Sequence, residues 1–465
     1  MTQARVREGT LLAELGSVLP DDAVVTDPDR LASYRHDQAI AAPAGEPAVV
    51  VFPRTTAEVS AVMAAAHARR IPVVPRGAGS GLSGGANAVD GCIVLCLERM
   101  RDIVAVDGAD GYVVVEPGVV NQELREHVGA SGLWYAPDPA SREWCTIGGN
   151  VNTNAGGLCC VKYGVTRDAV LGLEVVLADG RVSRLGRRTV KGVAGYDLAG
   201  LVVGSEGTLG IVTQARLRLR PLPPPATTTV ALFADIASAG RAVESIMRVA
   251  TPSLLELMDG TTLRAVEALQ PMGLDTGAAA LLIAQSDLPG QSGAIEADLI
   301  LAACERAGAI EGYRSEDAEQ SELLLGARRM AIPALERSGA WLLDDIGVPR
   351  SRLAEAMAAI EDVSAARDVV IGTFGHAGDG NLHPTIIYGH GDDDAKQRAL
   401  AAFDDIVEIA LRLGGTITGE HGVGLIKRGY LAQELDPVAR SMHAAIKDAL
   451  DPLGILNPGK ALPPR

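Results

Sequence analysis

Short runs of β-branched residues alternate with helical stretches in the first half of the chain. AVVVFP (48–53) is followed by TTAEVSAVMAAAHARR, which predicts a helix capped by Thr55 or Thr56, and then by the buried strand IPVVP. Further strands are predicted at GCIVLCL, YVVVEPG, LGLEVVLADG and GIVTQARLRLRPLPP. This rhythm indicates a domain that mixes strands with helices.

The pattern restarts after a proline-rich stretch at residues 221–225, which cannot continue a sheet. TTTVALFAD and alanine-rich helices follow, and the strands DVVIGTFGH and NLHPTIIYGH are joined by the turn AGDG. The tail, GGTITGEHGVGLIKRGYL and then a helix through LDPLGILNPGK, is expected to return to the first domain. The predicted divisions are an N-terminal arm (1–44), a first domain (45–223), a second α+β domain (224–415) and a C-terminal segment (416–465).

Charge and composition narrow the classes of partner. The 58 acidic and 42 basic residues give a formal net charge of −16, without a basic cluster, which argues against nucleic acid. No stretch reaches the roughly 18 apolar residues of a spanning helix, and the start lacks a signal-peptide core, so we expect a cytoplasmic protein that does not span a membrane. The six cysteines have no C-x-x-C spacing and are expected to be reduced thiols.

Three polar glycine segments suggest a bound cofactor. PRGAGSGLSGGA (75–86) contains five glycines, whose backbone can approach a diphosphate closely and bind it through N–H groups. Alone, this segment could equally be a surface loop without a ligand. CTIGGNVNTNAGG (145–157) adds neutral donors and acceptors suited to a flavin, and GSEGTLGI (204–211) is a third segment. The spacing is not that of the Rossmann fingerprint.

The chain resembles the flavin-linked D-lactate, glycolate and D-2-hydroxyglutarate dehydrogenases in these segments and in several longer motifs. The motifs are PDPASREWCTIGGNVNTNAGG, TVKGVAGYDLAGLVVGSEGTLGI, GHAGDGNLH, GEHGVG and LNPGK. The resemblance covers residues 30–462 in order. It implies the vanillyl-alcohol-oxidase fold: an α+β protein with a PCMH-type (p-cresol-methylhydroxylase-type) FAD-binding domain, a second α+β substrate (cap) domain and a C-terminal segment that returns to the FAD domain.

The resemblance also implies which residues contact FAD. The diphosphate would be held by Arg76, Gly77, Ala78, Gly79, Ser80, Gly81 and Gly85. The flavin would be flanked by Pro139, Thr146, Gly149, Asn150 and Thr153, the adenosine half by Glu206, Gly207 and Ile211, and Asn457 of LNPGK would complete the set. Some relatives in the wider fold attach flavin to a histidine, but His36, His67 and His127 lie outside the glycine segments, so we expect non-covalent FAD.

A metal site is implied by GHAGDGNLH and GEHGVG. If the turn of the predicted hairpin folds back, His376 and His383 converge, and Glu420 would be the third ligand. Two imidazoles and a carboxylate suit a catalytic Zn²⁺ or Mn²⁺ with open positions. His421 would be the general base. The alternative is that the histidines are strand-edge residues and Glu420 is a surface carboxylate.

Arg328 corresponds to an arginine that binds the substrate carboxylate in the family, although Arg328 and its neighbour Arg329 could instead be a solvated helix face. Ile332 and Leu343 offer no cation, and Asp344 and Asp345 would repel a second carboxylate. We therefore expect a small monocarboxylate, D-lactate or glycolate, with D-2-hydroxyglutarate as the alternative.

Two other functions belong to the same resemblance. Flavin-dependent transferases of the ether-lipid synthase type carry a run of adjacent histidines that is absent here. A non-catalytic flavin subunit would not need the intact GHAGDGNLH and GEHGVG motifs. No motif identifies the electron acceptor, which could be a quinone, a carrier flavoprotein or a cytochrome, and the oligomeric state is open, with a homodimer as one option.

Overall fold

The computed structural model describes residues 11–39, 41–189 and 191–462. The first ten residues of the predicted arm therefore lie outside the described residues. The chain forms two compact units. Of the described residues, unit 1 contains 11–39, 41–156, 164–189, 191–222 and 420–462, and unit 2 contains 157–163 and 223–419.

Unit 1 contains two main sheets. β2, β4 and β3 pair in parallel, with β1 antiparallel at the edge of β2, and a second, antiparallel sheet has the order β5-β6-β10-β8-β9. β7 and β11 form a small separate ribbon. The strands are β1 Val24–Val25, β2 Val49–Val51, β3 Val73–Arg76, β4 Ile93–Cys96, β5 Ile103–Asp107, β6 Tyr112–Val115, β7 Leu133–Trp134, β8 Val170–Val176, β9 Val182–Gly186, β10 Ile211–Arg218 and β11 Arg220–Pro221.

The best-predicted helix of unit 1 runs from Thr56 to Arg69. The Thr55 hydroxyl accepts from the Glu58 N–H at 3.2 Å, which caps the helix as the sequence predicts. The other helical segments are residues 11–18, Pro28–Ala32, Asn121–Gly129, Ile147–Thr153, Thr166–Ala169, Leu198–Val202, Leu431–Glu434 and Pro437–Leu450, with 3₁₀ turns at Asp21–Ala23 and Arg428–Tyr430.

The C-terminal segment differs from expectation in one respect. The helix does not continue through LDPLGILNPGK but ends at Leu450, since the residue before Pro452 is disfavoured in the α conformation. The irregular chain beyond it reaches β3, where Leu456 forms a parallel bridge with Val73. The return of this segment to unit 1 is confirmed.

Unit 2 is built on one antiparallel sheet with the order β15-β12-β14-β13-β18-β19-β16, and β17 also pairs with β19. The predicted hairpin is confirmed as β18 and β19, joined by residues 377–380. The strands are β12 Thr227–Phe233, β13 Leu254–Asp259, β14 Ala280–Ser286, β15 Ala309–Arg314, β16 Ala340–Leu343, β17 Ile346–Gly347, β18 Val370–His376 and β19 Asn381–Tyr388.

Helices pack on this sheet, as expected for an α+β unit. They are Cys160–Tyr163, Ile236–Val249, Gly260–Leu269, Gln291–Ala307, Ala318–Arg329, Ala331–Glu336, Leu353–Arg367 and Asp393–Arg412, with a 3₁₀ turn at Arg350–Arg352. In the part of the chain that the structure describes, no helix has both the length and the apolar character needed to cross a bilayer. Within the described residues, the six cysteines form no disulfide.

Candidate functional site

The first glycine segment leaves β3 directly after Arg76 and is half-buried. Arg76 donates from Nη1 to the His36 carbonyl at 2.9 Å. A Cβ atom on Gly79 would lie 2.1 Å from Arg76 Nη2, and the φ of Gly79 is +80°. The positive φ favours glycine at this position, and the Arg76 guanidinium lies against the loop there. Ala78, Ser80 and Gly81 remain half-buried on the loop.

The three predicted cofactor segments come together within unit 1. A Cβ atom on Gly77 would lie 2.3 Å from the Thr146 hydroxyl, so the first segment touches the second. A Cβ atom on Gly207 would lie 2.3 Å from Pro75, so the third segment touches the base of the first. Thr146 also caps the helix Ile147–Thr153 by accepting from the Gly149 N–H at 3.4 Å. This common location supports a shared ligand.

Several residues that were predicted to contact FAD form hydrogen bonds or packing contacts with other residues of the protein. Asn150 accepts from Asn121 at 3.0 Å and donates to Cys145 Sγ at 3.2 Å, and it is buried. The Thr153 hydroxyl donates to the Gly149 carbonyl at 3.1 Å. Ile211 begins β10 and is part of the hydrophobic core, and Pro139 is also buried. Their contacts with FAD therefore stay predictions, and the side chain of Asn150 has a visible structural role.

Glu206 holds the C-terminal segment. Its carboxylate accepts from the N–H groups of Val423 and Gly424 at 2.8 and 2.9 Å, although 217 and 218 residues separate the partners. Burial raises the pKa of Glu206 to about 7, against the opposing effect of the two N–H donors. Glu206 thus fixes the turn that carries His421, a role that the sequence did not indicate.

The LNPGK motif has a similar structural role. Asn457 donates to the carbonyls of Gly85 and Glu206 at 2.8 and 2.7 Å and accepts from Lys460 at 3.0 Å. Lys460 also donates to the Asn87 carbonyl at 2.7 Å, and burial lowers its pKa to about 8. The motif therefore ties the first and third glycine segments to each other.

The predicted histidine pair lies on the hairpin of unit 2. His376 is the last residue of β18, and His383 is the third residue of β19. Their ring centroids are 5.1 Å apart, and ring nitrogens of the two lie within 4.8 Å of each other. The turn between them needs Gly380, whose φ is +77° and whose Cβ atom would lie 2.1 Å from the Val348 carbonyl. Both imidazoles are buried, and their separation suits shared coordination of one ion.

A buried carboxylate that sequence analysis missed links this pair to Arg328. Glu256 on β13 is fully buried and faces His376, its cross-strand partner. Its Oε1 lies 2.7 Å from His376 Nδ1, and its Oε2 accepts from Arg328 Nε at 2.6 Å. The carboxylate of Glu256 within the otherwise apolar run LLELM (254–258) was the available signal, because a buried charge requires a partner.

Arg328 is not part of a solvated face. Its side chain is 9 % exposed, whereas that of Arg329 is 44 % exposed and pairs with Glu322 at the surface. The Arg328 guanidinium carbon lies 4.5 Å from the centroid of the Phe374 ring. Helical position alone could not separate these neighbouring arginines, but burial does.

Asp345 organises the other side of the hairpin. Its Oδ1 accepts from Asn381 at 2.7 Å, and its Oδ2 accepts from the Thr418 hydroxyl at 2.7 Å and the Gly419 N–H at 2.9 Å. His383 Nδ1 lies 3.7 Å from Asp345 Oδ1. Asp345 therefore fixes the end of unit 2, and the next residue of the chain is Glu420.

Glu420 and His421 begin the returning segment of unit 1. The His421 Nε2 and Glu420 Oε1 atoms are 4.0 Å apart, and both side chains are largely buried. The turn that follows contacts the first glycine segment, because the Leu425 N–H donates to the Ser83 carbonyl at 2.8 Å. A Cβ atom on Gly424 would lie 2.1 Å from that carbonyl, and the φ of Gly424 is +49°. GEHGVG therefore needs its last glycine to lie against the predicted diphosphate loop.

Comparisons with known proteins agree with this architecture. Residues 47–186 match the family model of an FAD binding domain, and residues 222–461 match that of the C-terminal domain of FAD linked oxidases. The glycolate oxidase subunit GlcD of Bacillus subtilis (strain 168) is 44% identical over 89% of this chain and 88% of its own length. The D-lactate dehydrogenase of Anaerostipes hadrus is 35% identical over 92% of each chain.

Solved structures show the same fold. The 4-ethylphenol oxidase from Gulosibacter chungangensis aligns with a TM-score of 0.81 over 98% of each chain at 21% identity. p-Cresol methylhydroxylase aligns with a TM-score of 0.80 at 19% identity, over 100% of this chain and 98% of its own. The PCMH-type α+β fold is thereby confirmed. The chain belongs to the FAD-linked oxidase family and is an FAD-dependent oxidoreductase.

Proposed function

We propose that this enzyme oxidises a small D-2-hydroxy acid, D-lactate or glycolate, to the 2-oxo acid. Relatives named as a glycolate oxidase subunit and a D-lactate dehydrogenase support this substrate class. The observation that carries the proposal is the position of Glu256, which contacts both His376 and Arg328. The Arg328 guanidinium, which suits a substrate carboxylate, and the His376 imidazole, which suits a metal ion, thus contact the same buried carboxylate.

Arg328 would bind the substrate carboxylate. Its Nε atom faces Glu256, so the two Nη groups are the part of the planar fork that is suited to a second carboxylate. Ile332 and Leu343 pack against the apolar cluster that includes neighbouring Ala327 and provide no further cation. These surroundings favour a short monocarboxylate over a dicarboxylate such as D-2-hydroxyglutarate.

His376, His383 and Glu420 would hold a divalent metal, zinc or manganese. The donor set fits because the contact with Glu256 favours the tautomer of His376 with the proton on Nδ1, in which Nε2 is the nitrogen suited to a ligand bond. Glu420 follows Gly419, whose N–H group is fixed by Asp345 close to His383. Such an ion, when bound, lowers the pKa of a coordinated hydroxyl group.

His421 would accept the proton of the substrate hydroxyl. The turn that follows it is held by Glu206 and lies against Ser83 of the first glycine segment, which supports a place near the flavin. The chemistry that bound FAD would supply is acceptance of the α-hydrogen of the substrate as hydride. We propose that FAD is held without a covalent bond, because the glycine segments offer hydrogen-bond donors.

The electrons would leave the flavin to a quinone, a carrier flavoprotein or a cytochrome. The name of the GlcD relative contains the word subunit, which supports assembly of this chain with other chains. A cytoplasmic location and a homodimer stay predictions.

An anaerobic screen of glycolate, D-lactate, L-lactate and D-2-hydroxyglutarate tests the proposal. Purified enzyme should lose its oxidised-flavin absorbance with glycolate or D-lactate, and a chelator should prevent this until zinc or manganese is restored. L-Lactate is the control for chirality. Reduction by D-2-hydroxyglutarate alone would move the assignment to the dicarboxylate, and reduction that is insensitive to chelator would refute the metal.

A further inference from the structure

Glu256 is a buried carboxylate with two functional partners. It lies in the middle of β13, and its backbone pairs with that of His376 on β18. One oxygen contacts His376 Nδ1 and the other accepts from Arg328 Nε, so both oxygens are engaged. His376 is 120 residues away in sequence and Arg328 is 72 residues away.

We infer that Glu256 is a positioning residue that sets the tautomer of His376 and the plane of Arg328 together, and thereby couples metal binding to substrate binding. The inference rests on the proposed function, because it takes His376 as a metal ligand and Arg328 as the carboxylate-binding cation. Glu256 itself touches neither ligand in this scheme.

The tautomer follows from the chemistry of the contact. A carboxylate that already accepts from Arg328 is an acceptor for its second neighbour as well, so the imidazole nitrogen that faces it at 2.7 Å is the one that would carry the proton. The other tautomer would place two acceptors against each other in a buried site, which is unfavourable. In the neutral imidazole, Glu256 would therefore keep Nε2 of His376 as the unprotonated nitrogen, the form that a divalent cation binds.

The plane of Arg328 is fixed from two directions. Glu256 takes the Nε–H group, and the Phe374 ring lies 4.5 Å from the guanidinium carbon. Phe374 is two residues before His376 on β18, so the two side chains lie on the same face of the sheet. The fork is thereby held in one orientation before a substrate arrives, which reduces the entropy lost on binding.

Replacement by glutamine separates these roles from simple packing. Glutamine has nearly the same shape but offers one acceptor oxygen and one NH₂ donor. If its NH₂ group faces Arg328, two donors oppose each other; if its NH₂ group faces His376, the imidazole proton must move from Nδ1 to Nε2, the nitrogen that would bind the metal. Glu256→Gln should therefore weaken metal binding and substrate binding together, and the tightening of one ligand by the other should disappear.

The matched control is Asp259→Asn on the same strand. Asp259 is also a buried carboxylate with both oxygens engaged, but its donors are the backbone N–H groups of Thr262 and Thr373 at 2.7 and 2.8 Å. Metal-stripped holoprotein with FAD is titrated with zinc and with manganese. Glu256→Gln should lose about 10- to 100-fold in metal affinity, the range for lost partners of ligating histidines, whereas Asp259→Asn should bind as the wild type does.

Substrate coupling is measured through the flavin spectrum, by titration with the 2-oxo acids pyruvate and glyoxylate with and without metal. In the wild type the metal should tighten binding of the 2-oxo acid more than in Glu256→Gln. If Glu256→Gln does not fold, the same measurements are made on Glu256→Asp. This variant keeps the carboxylate but moves it one methylene away from His376 and Arg328.

The tautomer of His376 gives a readout that does not depend on metal. ¹⁵N NMR of the ring nitrogens, assigned with His376→Asn, should show a protonated Nδ1 in the wild type and a redistributed proton in Glu256→Gln. A wild type that binds no metal would refute the proposed metal site, and the NMR spectrum would still decide the role of Glu256. Unchanged metal affinity and tautomer in Glu256→Gln would overturn the inference.

Discussion

Lysine at position 328 would keep the positive charge but remove the planar fork. In the structure Arg328 donates from Nε to Glu256 at 2.6 Å while its guanidinium lies over Phe374. An ammonium group is a single centre, so it cannot hold Glu256 and also present two parallel N–H groups to a substrate. We expect Arg328→Lys to fold with FAD bound and to lose substrate binding and turnover.

The magnitude follows from the hydrogen bonds that are lost. A hydrogen bond to a charged group contributes about 1.5–3 kcal/mol, so loss of one carboxylate contact predicts a fall of about 10- to 150-fold in kcat/KM. Lysine is a better test substitution than methionine, because methionine would remove the cation and leave Glu256 buried without its partner. That loss would lower the free energy of unfolding by about 3–5 kcal/mol.

The assay is stopped-flow reduction of the flavin under anaerobic conditions, with substrate concentration varied. Arg329→Lys is the matched control, because Arg329 is the next residue of the same helix and pairs with Glu322 at the surface. An exposed ion pair contributes about 0–1 kcal/mol, so this control should behave as the wild type does. If Arg328→Lys reduced the flavin with wild-type parameters, Arg328 would have no role in substrate binding and the proposed orientation of the substrate would be wrong.

Four further predictions concern the cofactors and the C-terminal turn. Acid or heat denaturation should release all FAD into the supernatant, and yellow colour that stays in the protein pellet would contradict non-covalent binding. His376→Ala, His383→Ala and Glu420→Ala should each abolish bound metal and substrate reduction while FAD stays bound, as metal analysis and absorbance would show; full metal content in these variants would exclude them as ligands. His421→Ala should keep the metal but slow flavin reduction by about 10²-fold or more, the usual scale for a lost general base. Burial raises the pKa of Glu206 from its ordinary value of 4.5 to about 7, so the folded protein binds this proton more tightly than the unfolded chain does. Its contribution to the free energy of unfolding should therefore fall as the pH rises through that window and stay level above it, and Glu206→Gln should flatten this dependence in urea unfolding.

Local chemistry made much of this protein predictable from its sequence. The helix cap at Thr55, the paired strands around AGDG and the strand before the first glycine segment each depend on residues within a few positions of one another. His376 and His383 could be placed near each other because a hairpin brings neighbouring segments together. The family resemblance then supplied the fold class and FAD, which the comparisons bear out.

The tertiary structure alone decided which polar groups support the site. Glu256 meets His376 and Arg328, and Glu206 meets Val423 and Gly424, across separations from 72 to 218 residues, and no periodicity connects such positions. Burial likewise distinguishes Arg328 from Arg329, which are adjacent on one helix. The sequence by itself determined the local turns and the residue types that can hold phosphate or metal. The fold determined which buried charges are neighbours, because a desolvated charge is stable only where the completed structure provides its partner.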